Sequence, residues 1–455
     1  MDTTQSSLQV MNQLAHLEWV KVPIHVKRLS KDFHWFSPVL TEQLAGKVAD
    51  VIVKPKSLEE LKELISKCVE LDAPVTVRGG GTGNYGQSVP LCGGIVIDMT
   101  KYASLVNFDE GVATVEPGLK ISELEGKVKE HGYEMRCMPS TYKMATVGGL
   151  FSGGFGGVGS INYGPLAASG TILGIKVLTI EPEPKIIELS DAEVLNYHHT
   201  YGTNGIVFEL EIALAPKRNW DEYMLAFANL ESAYQAAYSL AYSSGIDKRN
   251  VALFSYDSAK YLPNGEQLNP GEYLVIAIVA SNGRKPIQGL LKQHDGRIAW
   301  NQQYTEMTEQ SETMIESCWN HATLHALKHD KSLTYLQSNY DVTRVVEQLE
   351  QIESHASGEV TIHLEFILNA MKEPMISGLP LIQYSTPERL EALIDLHRHC
   401  GISINNPHVF TLEDGKHAGL LSEDILKSKL ENDPKGLLNR GKIRSLTDVL
   451  YTQAS

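Results

Sequence analysis

The chain has 455 residues, of which 42% are hydrophobic and 21% are charged, and its formal net charge at pH 7 is −15. A chain of this length exceeds what one small core needs, so we expect at least two domains. The acidic balance argues against nucleic acid or an anionic membrane surface as the main partner.

The sequence shows no segment that resembles a targeting signal or an anchor. Residues 1–20 lack a basic stretch followed by an apolar core, and no stretch approaches the length of a membrane span. The five cysteines have no Cys-x-x-Cys spacing, which excludes a standard iron–sulfur cluster within the chain and fits unpaired thiols. We therefore expect a cytoplasmic protein, and the sequence leaves open whether it forms a homo-oligomer.

The first part of the chain predicts a β–α–β unit that leads into a glycine loop. Residues 1–45 have apolar residues at helical spacing, residues 51–53 and 75–77 are short apolar runs typical of strands, and a capping box at Ser57 and Glu60 opens an amphipathic helix between them. Residues 78–87, Arg-Gly-Gly-Gly-Thr-Gly-Asn-Tyr-Gly-Gln, follow directly and form the first glycine loop. Such a backbone can approach a ligand closely, and its N–H groups can point together at one anion, for which a diphosphate is well suited.

A second glycine-dense segment lies farther along the same region. Strands are predicted at 95–97, 112–115, 172–178 and 206–214, and a second capped helix is predicted from Ser122, with Glu125 as its partner. Residues 146–164 contain eight glycines, but apolar residues such as Val147 and Phe151 alternate with them. A solvated linker would not carry these apolar groups, so we expect this second glycine segment to be folded.

After Pro216 the sequence alternates helices and strands. Helices are predicted at 230–243, 286–295, 343–354 and 387–399, and strands at 251–255, 273–280, 333–337, 360–368 and 379–384. This order predicts an antiparallel sheet with helices on one face.

Several motifs in this order resemble those of one family. They are Arg78–Gly83, Val115-Glu116-Pro117-Gly118, Pro139-Ser140-Thr141 with Thr146-Val147-Gly148-Gly149, Gly202-Thr203-Asn204-Gly205, and the tail from Asp433 to Ile443. The chain resembles the FAD-linked oxidoreductases of the vanillyl-alcohol-oxidase and para-cresol-methylhydroxylase type, and within them the glycolate-oxidase and D-2-hydroxyacid-dehydrogenase branch. A Rossmann dinucleotide site fits poorly, because the first loop is not a Gly-x-Gly-x-x-Gly turn that opens a helix.

The resemblance implies an α+β fold with a two-lobed FAD-binding domain of the para-cresol-methylhydroxylase type and an antiparallel-sheet cap domain. The implied division is a helical lead-in at 1–45, the FAD-binding domain at 46–217, the substrate cap at 218–404, and a C-terminal segment at 405–455 that returns to the flavin. The residues that it implies for FAD binding are Arg78, Gly79, Gly80, Gly81, Thr82, Gly83, Asn84, Tyr85, Gly86, Gln87, Pro117, Gly118, Pro139, Ser140, Thr141, Thr146, Gly148, Gly149, Ser152, Gly153, Gly159, Ser160, Gly205, Ile206, Val207 and Asn439.

We expect FAD to be bound without a covalent link. The first glycine loop contains no histidine, Cys137 does not occupy the family's linking position, and Tyr85 is expected to pack instead. Arg78 is expected either to reach the diphosphate or to bond a backbone carbonyl.

The candidate catalytic residues come from the cap and the tail. His321 and His325 share one helix face, His363 and Glu365 share one face of a strand, and His408 follows an asparagine pair. A histidine near the flavin is a suitable proton acceptor for alcohol oxidation. Alternatively, a divalent metal bound by His363, Glu365, His321 or His325 would lower the pKa of the substrate hydroxyl. His198 and His199 are weaker candidates.

These features predict an FAD-dependent dehydrogenase or oxidase that acts on a CH–OH group of a small alcohol, above all a 2-hydroxy acid. The alternatives are an FAD-binding electron-relay or non-catalytic subunit of a larger oxidoreductase complex, and a flavin enzyme reduced by a nicotinamide cofactor. A carboxylate substrate needs a cationic clamp, for which Arg344, Lys143 and Arg440 are the candidates. The family's Gly-His-x-Gly-Asp-Gly-Asn-like motif is absent, so the substrate, like the electron acceptor, stays open.

Overall fold

The structure is a computed structural model that describes residues 3–307, 312–415 and 419–447. Residues 416–418 and 448–455 of the predicted C-terminal segment lie outside the described residues. The helices are α1 (Thr3–Gln13), α2 (Pro23–Leu29), α3 (Pro38–Gln43), α4 (Leu58–Glu70), α5 (Ile121–Glu130), α6 (Val147–Gly153), α7 (Ser160–Tyr163), α8 (Leu230–Tyr242), α9 (Tyr256–Ala259), α10 (Arg284–His294), α11 (Trp319–His329), α12 (Val345–His355), α13 (Pro387–His399) and α14 (Glu423–Asn432).

The strands form three larger sheets and one small one. They are β1 (Trp19–Val20), β2 (Val51–Val53), β3 (Val75–Arg78), β4 (Ile95–Asp98), β5 (Leu105–Asp109), β6 (Val112–Val115), β7 (Tyr133–Met135), β8 (Ile172–Leu178), β9 (Ile186–Ser190), β10 (Ile206–Pro216), β11 (Trp220–Phe227), β12 (Lys248–Ser255), β13 (Tyr273–Ala280), β14 (Arg297–Gln302), β15 (Leu333–Tyr335), β16 (Gln337–Tyr340), β17 (His363–Leu368), β18 (Pro374–Gly378), β19 (Leu381–Gln383) and β20 (Ser403–Asn405).

The first sheet confirms the predicted β–α–β unit. Its order is β1-β2-β4-β3, and β2 and β3 run parallel to β4. The predicted cap by Ser57 is present, because its hydroxyl accepts from Glu60 N at 3.2 Å, but the Glu60 carboxylate accepts from Lys56 N at 2.7 Å rather than from Ser57 N, so the reciprocal bond of the capping box is displaced by one residue. Three helices form in the lead-in, but β1 was not predicted, since a strand of two residues is defined by its pairing with β2 rather than by a local pattern.

The second sheet is antiparallel, with the order β5-β6-β10-β8-β9 and β7 paired to β10. The predicted capping of α5 by Ser122 and Glu125 is wrong. The helix begins at Ile121 after Lys120, and Glu125 is buried, where its carboxylate accepts from Met135 N at 2.7 Å and pairs with Arg249 at 2.8 Å. Because Met135 N and Arg249 bond the Glu125 carboxylate, this side chain does not cap the helix.

The second glycine segment is folded, as predicted. Its first part is α6, where the Thr146 hydroxyl accepts from Gly149 N at 3.2 Å and so caps the helix. Val147 and Phe151 on this helix belong to a core cluster shared with the second sheet, which is why the segment carries apolar residues.

The third sheet confirms the predicted antiparallel arrangement after Pro216. Its order is β14-β11-β13-β12-β17-β18-β16-β20, and β15 pairs with β19 beside it. Helices α8, α10 and α12 pack against one face, while apolar residues of the other face join the core of the second sheet. The predicted strand at 333–337 is split, because β15 pairs with β19 whereas β16 pairs with β18 and β20. Strand β18 was not predicted.

The C-terminal segment returns to the first sheet. Val75 N donates to Leu437 O at 2.9 Å, and Asn439 N donates to Val75 O at 2.7 Å, beside the start of β3. Asp433 holds this turn, since its carboxylate accepts from Leu437 N at 3.0 Å and Leu438 N at 2.8 Å. None of the helices within the described ranges is both long enough and apolar enough to cross a bilayer.

Candidate active site

A cavity of about 620 Å³ lies between the glycine loops and the strands β16 and β18 of the third sheet. It is lined by the first glycine loop, by the start of α6, by residues just before β10, and by the end of the third sheet. Of the predicted FAD-binding residues, all but Gly86, Gly118, Gly159, Ser160 and Asn439 line it.

Three loops meet at this cavity with their backbones in close contact. A Cβ atom on Gly80 would collide with the backbone carbonyl of Met144, and one on Gly79 would collide with the Thr146 hydroxyl. A Cβ on Gly148 would collide with Pro117 in the same way. These glycines are therefore required by the close approach of the loops.

The first glycine loop presents backbone donors to the cavity. Within the described chain, the N–H groups of residues 80–84 donate to no other residue. Gly81 has a φ of +66°, a conformation that favours glycine. Successive N–H groups in such a turn form a concave anion site, so this loop fits the diphosphate of FAD.

Polar side chains fix the loop from behind. Arg78 donates to Lys31 O at 2.6 Å and to Gly80 O at 3.4 Å, so of its two expected roles the structure shows the bonding of carbonyls. Gln87 donates to Gly153 O at 2.8 Å and joins the two glycine segments. Asn439 donates to Gln87 O at 3.1 Å, while its own Oδ1 is buried without a hydrogen-bond partner in the described chain.

The other predicted residues outside the lining support it from the second layer. Gly118 packs against the carbonyls of Met99 and Tyr102, and Gly159 packs against that of Arg136. The Ser160 hydroxyl accepts from Gly157 N at 3.1 Å and lies 3.4 Å from the Cys137 thiol. Burial raises the pKa of that thiol to about 11, and Cys137 does not line the cavity.

His363 and Glu365 are buried beneath the cavity wall. His363 Nε2 lies 3.0 Å from Glu365 Oε1, and the ring of Phe254 stacks on the imidazole at 4.2 Å between centroids. The Glu365 carboxylate also accepts from Trp319 N at 2.6 Å and from Asn250 Nδ2 at 2.9 Å. Neither residue lines the cavity, but Trp319 does, with a φ of +51° that is unusual for a bulky side chain.

His321 and His325 lie side by side on α11, with ring centroids 5.2 Å apart. His321 Nδ1 lies 3.0 Å from Ser140 O, and because a carbonyl only accepts, Nδ1 carries the proton and Nε2 is the basic nitrogen. Burial lowers the pKa of His321, and burial together with the neighbouring His321 lowers the pKa of His325 to about 4. Neither ring lines the cavity, although Ser140 and Asn320 do.

His408 connects two parts of the chain. Its Nδ1 lies 2.8 Å from the Ser37 hydroxyl and its Nε2 lies 2.9 Å from Tyr335 O, so both ring nitrogens are already bonded. Burial lowers its pKa to about 4. The ring therefore has no nitrogen left to take a proton from a substrate. Among the described residues, the histidines that do line the cavity are His198 and His199.

The four candidate metal ligands form two separate pairs rather than one site. Among the described residues, no group of three or more His, Cys, Asp and Glu side chains is arranged to hold a metal ion. The expected cationic clamps are also placed elsewhere. Arg344 pairs with Glu347 at 2.8 Å, Lys143 pairs with Glu316 at 2.6 Å, and neither of them nor Arg440 is among the described lining residues.

The sequence did not predict the residues that form the cap side of the cavity. They are Trp319, Asn320, Gln337, Asn339, Met375, Ser377, Asn405 and Asn406. Six of the eight are neutral polar residues, four of these six lie on short strands, and no spacing motif marks them. The available signal is weak: Gln337 and Asn339 are two residues apart and therefore share a strand face.

Residues 49–190 match the family model described as an FAD binding domain. The chain is 28% identical over 198 residues to the glycolate oxidase subunit GlcD of Bacillus subtilis, a match that covers 41% of each protein. It is 28% identical over 202 residues to the D-lactate dehydrogenase of Archaeoglobus fulgidus, covering 42% of this chain and 44% of that protein. It is also 22% identical over 436 residues to the mitochondrial D-2-hydroxyglutarate dehydrogenase of Danio rerio, covering 86% and 78%.

The matched region thus spans less than half the length of the first two relatives. Among solved structures, alkyldihydroxyacetonephosphate synthase superposes with a TM-score of 0.71 at 15% identity, covering 96% of this chain and 86% of that chain. These findings confirm the resemblance to FAD-linked oxidoreductases and the predicted fold class.

Proposed function

We propose that the protein is an FAD-dependent dehydrogenase or oxidase that oxidises the CH–OH group of a small alcohol, with 2-hydroxy acids as the preferred class. One observation carries this proposal: the cavity is continuous from the first glycine loop to the polar strands of the third sheet. Cofactor and substrate would therefore occupy one continuous cavity. The names of the relatives, which act on glycolate, D-lactate and D-2-hydroxyglutarate, support the choice of 2-hydroxy acids.

The chemistry that FAD supplies when bound is the acceptance of a hydride from the carbinol carbon at its N5 atom. The backbone N–H groups of residues 80–84 bind the diphosphate, and the side chains of the third sheet orient the alcohol. The hydroxyl proton needs an acceptor. His199 lines the cavity, and His321 Nε2 is a neutral basic nitrogen one residue from the lining residue Asn320.

We propose these two histidines for the proton transfer ahead of His325, His363, Glu365 and His408. The test is to measure anaerobic flavin reduction by substrate in His199→Asn and His321→Gln. Replacing the residue that accepts the proton should lower the rate of flavin reduction by about 100-fold, the usual scale of general base catalysis. If both variants reduce the flavin at the wild-type rate, neither histidine is the base.

We further propose that FAD is held without a covalent bond. The support is that residues 78–87 contain neither histidine nor cysteine, that Tyr85, although it lines the cavity, packs against the apolar cluster of Tyr201 and Leu412, and that Cys137 is buried away from the cavity. Acid precipitation should release all the flavin into the supernatant. Flavin that stays with the pellet would contradict the proposal.

A metal does not fit the residues predicted for it. His363 and Glu365 bond each other, and among the described residues no three His, Cys, Asp or Glu side chains converge to hold a metal ion. No step of the proposed reaction passes through a metal ion.

The cellular location, the electron acceptor and the domain division that we propose are those expected from the sequence. We place the protein in the cytoplasm, and we leave the electron acceptor as oxygen, a quinone or a protein. We propose the domain division at 1–45, 46–217, 218–404 and 405–455. The sheets support its boundary after residue 217, since the first two use residues 19–216 and the third uses residues 220–405, whereas the boundaries after residues 45 and 404 each divide a sheet.

The decisive experiment is an anaerobic absorption spectrum of the purified protein with a panel of D- and L-2-hydroxy acids. Bleaching of the flavin band by at least one of them is the expected result. If dithionite reduces the flavin but no hydroxy acid does, the protein is an electron-relay subunit. Oxidation of NADPH by the protein would instead support a nicotinamide-reduced enzyme.

A further inference from the structure

One face of the third sheet forms the cap side of the cavity. Asn339 on β16 lies opposite Ser377 on β18, and Gln337 on β16 lies opposite Asn405 on β20. Residues opposite each other in antiparallel strands share a face of the sheet. We call these four side chains the polar wall. All four line the cavity, whereas Tyr340 and Ile376 on the opposite face of β16 and β18 belong to the core cluster that includes apolar residues of α8 and α12.

The polar wall consists of carboxamide and hydroxyl groups without a charge. Its members are near enough to interact, since the Ser377 hydroxyl donates to Asn339 Oδ1 at 2.9 Å. Among all described residues that line the cavity, the only Asp, Glu, Lys or Arg side chains are Asp32 and Arg78. Arg78 belongs to the first glycine loop, and the Asp32 carboxylate accepts from Ser88 N at 3.3 Å just after that loop. The charges therefore lie on the cofactor side.

Such a wall matches one kind of ligand. A carboxamide offers N–H donors and a carbonyl acceptor, and a hydroxyl offers one donor and two acceptor sites. The carbonyl oxygen of Asn339 already accepts from Ser377, whereas a carboxylate, which only accepts, would leave the carbonyl oxygens of Gln337 and Asn405 without a partner from the ligand. Substrate hydroxyl groups can both donate and accept hydrogen bonds. Several of them along one chain could therefore bond the side chains of the polar wall on the neighbouring strands.

We propose that the substrate is a polyhydroxylated 2-hydroxy acid, whose hydroxyl-bearing chain beyond C2 lies on the polar wall. This inference rests on the proposed function and specifies the substrate class of the same site. The hydrogen on C2 leaves as a hydride to FAD, the C2 hydroxyl proton passes to the base, and the product is the 2-keto acid. The hydroxyl groups of the chain are unchanged by the reaction and serve recognition.

The test compares substrates that differ only in their hydroxyl groups. Suitable pairs are lactate and glycerate, 2-hydroxybutyrate and 2,3,4-trihydroxybutyrate, and 2-hydroxyhexanoate and gluconate, each in the available stereoisomers. The measurement is the second-order rate of anaerobic flavin reduction in the holoenzyme. A site built to bond hydroxyl groups discriminates strongly against analogues that lack them, so we expect a preference of at least about 100-fold for the longer polyhydroxylated acids.

Two matched variants test whether the polar wall causes this preference for hydroxylated substrates. Asn339→Leu removes a carboxamide from the polar wall, and Asn301→Leu makes the same change on the exposed edge strand β14 at the far end of the same sheet. Asn339→Leu should lower the ratio of the rates for gluconate and 2-hydroxyhexanoate by about tenfold or more. Asn301→Leu should leave the ratio at the wild-type value. A general loss of stability would lower both rates together and leave the ratio unchanged.

The outcomes separate the two proposals. If some hydroxy acids reduce the flavin but the alkyl acids react as fast as their hydroxylated partners, the polar wall does not select hydroxyl groups and the inference is wrong. An unchanged ratio in Asn339→Leu has the same meaning. If no hydroxy acid reduces the flavin at all, the proposed function itself fails.

Discussion

The proposed diphosphate site can be tested by adding one methyl group to the first glycine loop. In Gly80→Ala the new Cβ would collide with the carbonyl oxygen of Met144 and lie 3.0 Å from its carbonyl carbon and 3.2 Å from Ala145 Cα. All three are backbone atoms, so no side chain can rotate away. An ordinary contact needs a further separation of about 1 Å, and overpacking of this kind costs about 1–3 kcal/mol.

The displacement should weaken FAD binding. A shift of about 1 Å takes an N–H group out of hydrogen-bond distance of a phosphate oxygen. A hydrogen bond to a charged group contributes about 1.5–3 kcal/mol, and about 1.4 kcal/mol corresponds to a factor of ten in the dissociation constant. Loss of one such bond predicts a Kd for FAD that is about 10- to 100-fold higher than in the wild type.

The assay is titration of the apoprotein with FAD, followed by the change in flavin fluorescence. Gly289→Ala is the matched control, because a Cβ there meets nothing within 4 Å and the residue is exposed in the middle of α10. That variant should bind FAD like the wild type and be slightly more stable, since alanine favours a helix over glycine by about 1 kcal/mol. A Kd for Gly80→Ala equal to that of the wild type would refute the assignment of the first glycine loop to the diphosphate.

Three further predictions concern other parts of the molecule. Glu365→Gln leaves one side-chain oxygen for three partners, Trp319 N, Asn250 Nδ2 and His363 Nε2, so it should displace Trp319, raise KM for the substrate and change the tryptophan fluorescence. Glu222→Gln, at a carboxylate that accepts from Met314 N at 2.9 Å, should do neither. Equal effects in the two variants would reduce Glu365 to a structural role. Burial lowers the pKa of Lys442 to about 7, so above that pH the folded protein binds fewer protons than the unfolded chain. The free energy of unfolding, measured in urea, should therefore rise by about 2 kcal/mol from pH 7 to pH 9 relative to that of Lys442→Met. Parallel dependences of the two free energies on pH would contradict this. Prolonged dialysis against a chelator should leave the rate of flavin reduction unchanged, and a loss that added Zn²⁺ or Mn²⁺ restores would show that a metal takes part.

The structure also changes the interpretation of the histidines. The sequence shows them as groups that can carry protons, and on that basis His408 and His363 were candidates. In the fold, His408 bonds Ser37 and Tyr335, and His363 bonds Glu365 under Trp319. The partners of His408 come from distant parts of the chain, so the sequence cannot show that both nitrogens of this imidazole are bonded. The partner of His363 is near in sequence, but the burial of the pair away from the cavity depends on the fold.

Local patterns were sufficient for much of the fold. The helix predicted at 387–399 has the same bounds in the structure, because Thr386 caps it, Pro387 begins it and its apolar residues recur with helical spacing. Strand β18 escaped prediction, since its residues from Pro374 to Gly378 have low strand propensity and its pairing with β16 and β17 defines it.

The proposed cofactor side of the site could be predicted from the chain without the fold. Glycines required by close backbone approach lie together in the chain, and the N–H groups that they present belong to consecutive residues, so the pattern is visible without the fold. Only the tertiary structure determined the substrate side. Gln337, Asn339, Ser377 and Asn405 lie on three strands that are separated in sequence and become neighbours by antiparallel pairing. On the substrate side, the role of a neutral side chain depends on which groups lie opposite it on the neighbouring strands. That placement is set by the register of the sheet, which no local pattern of residues specifies.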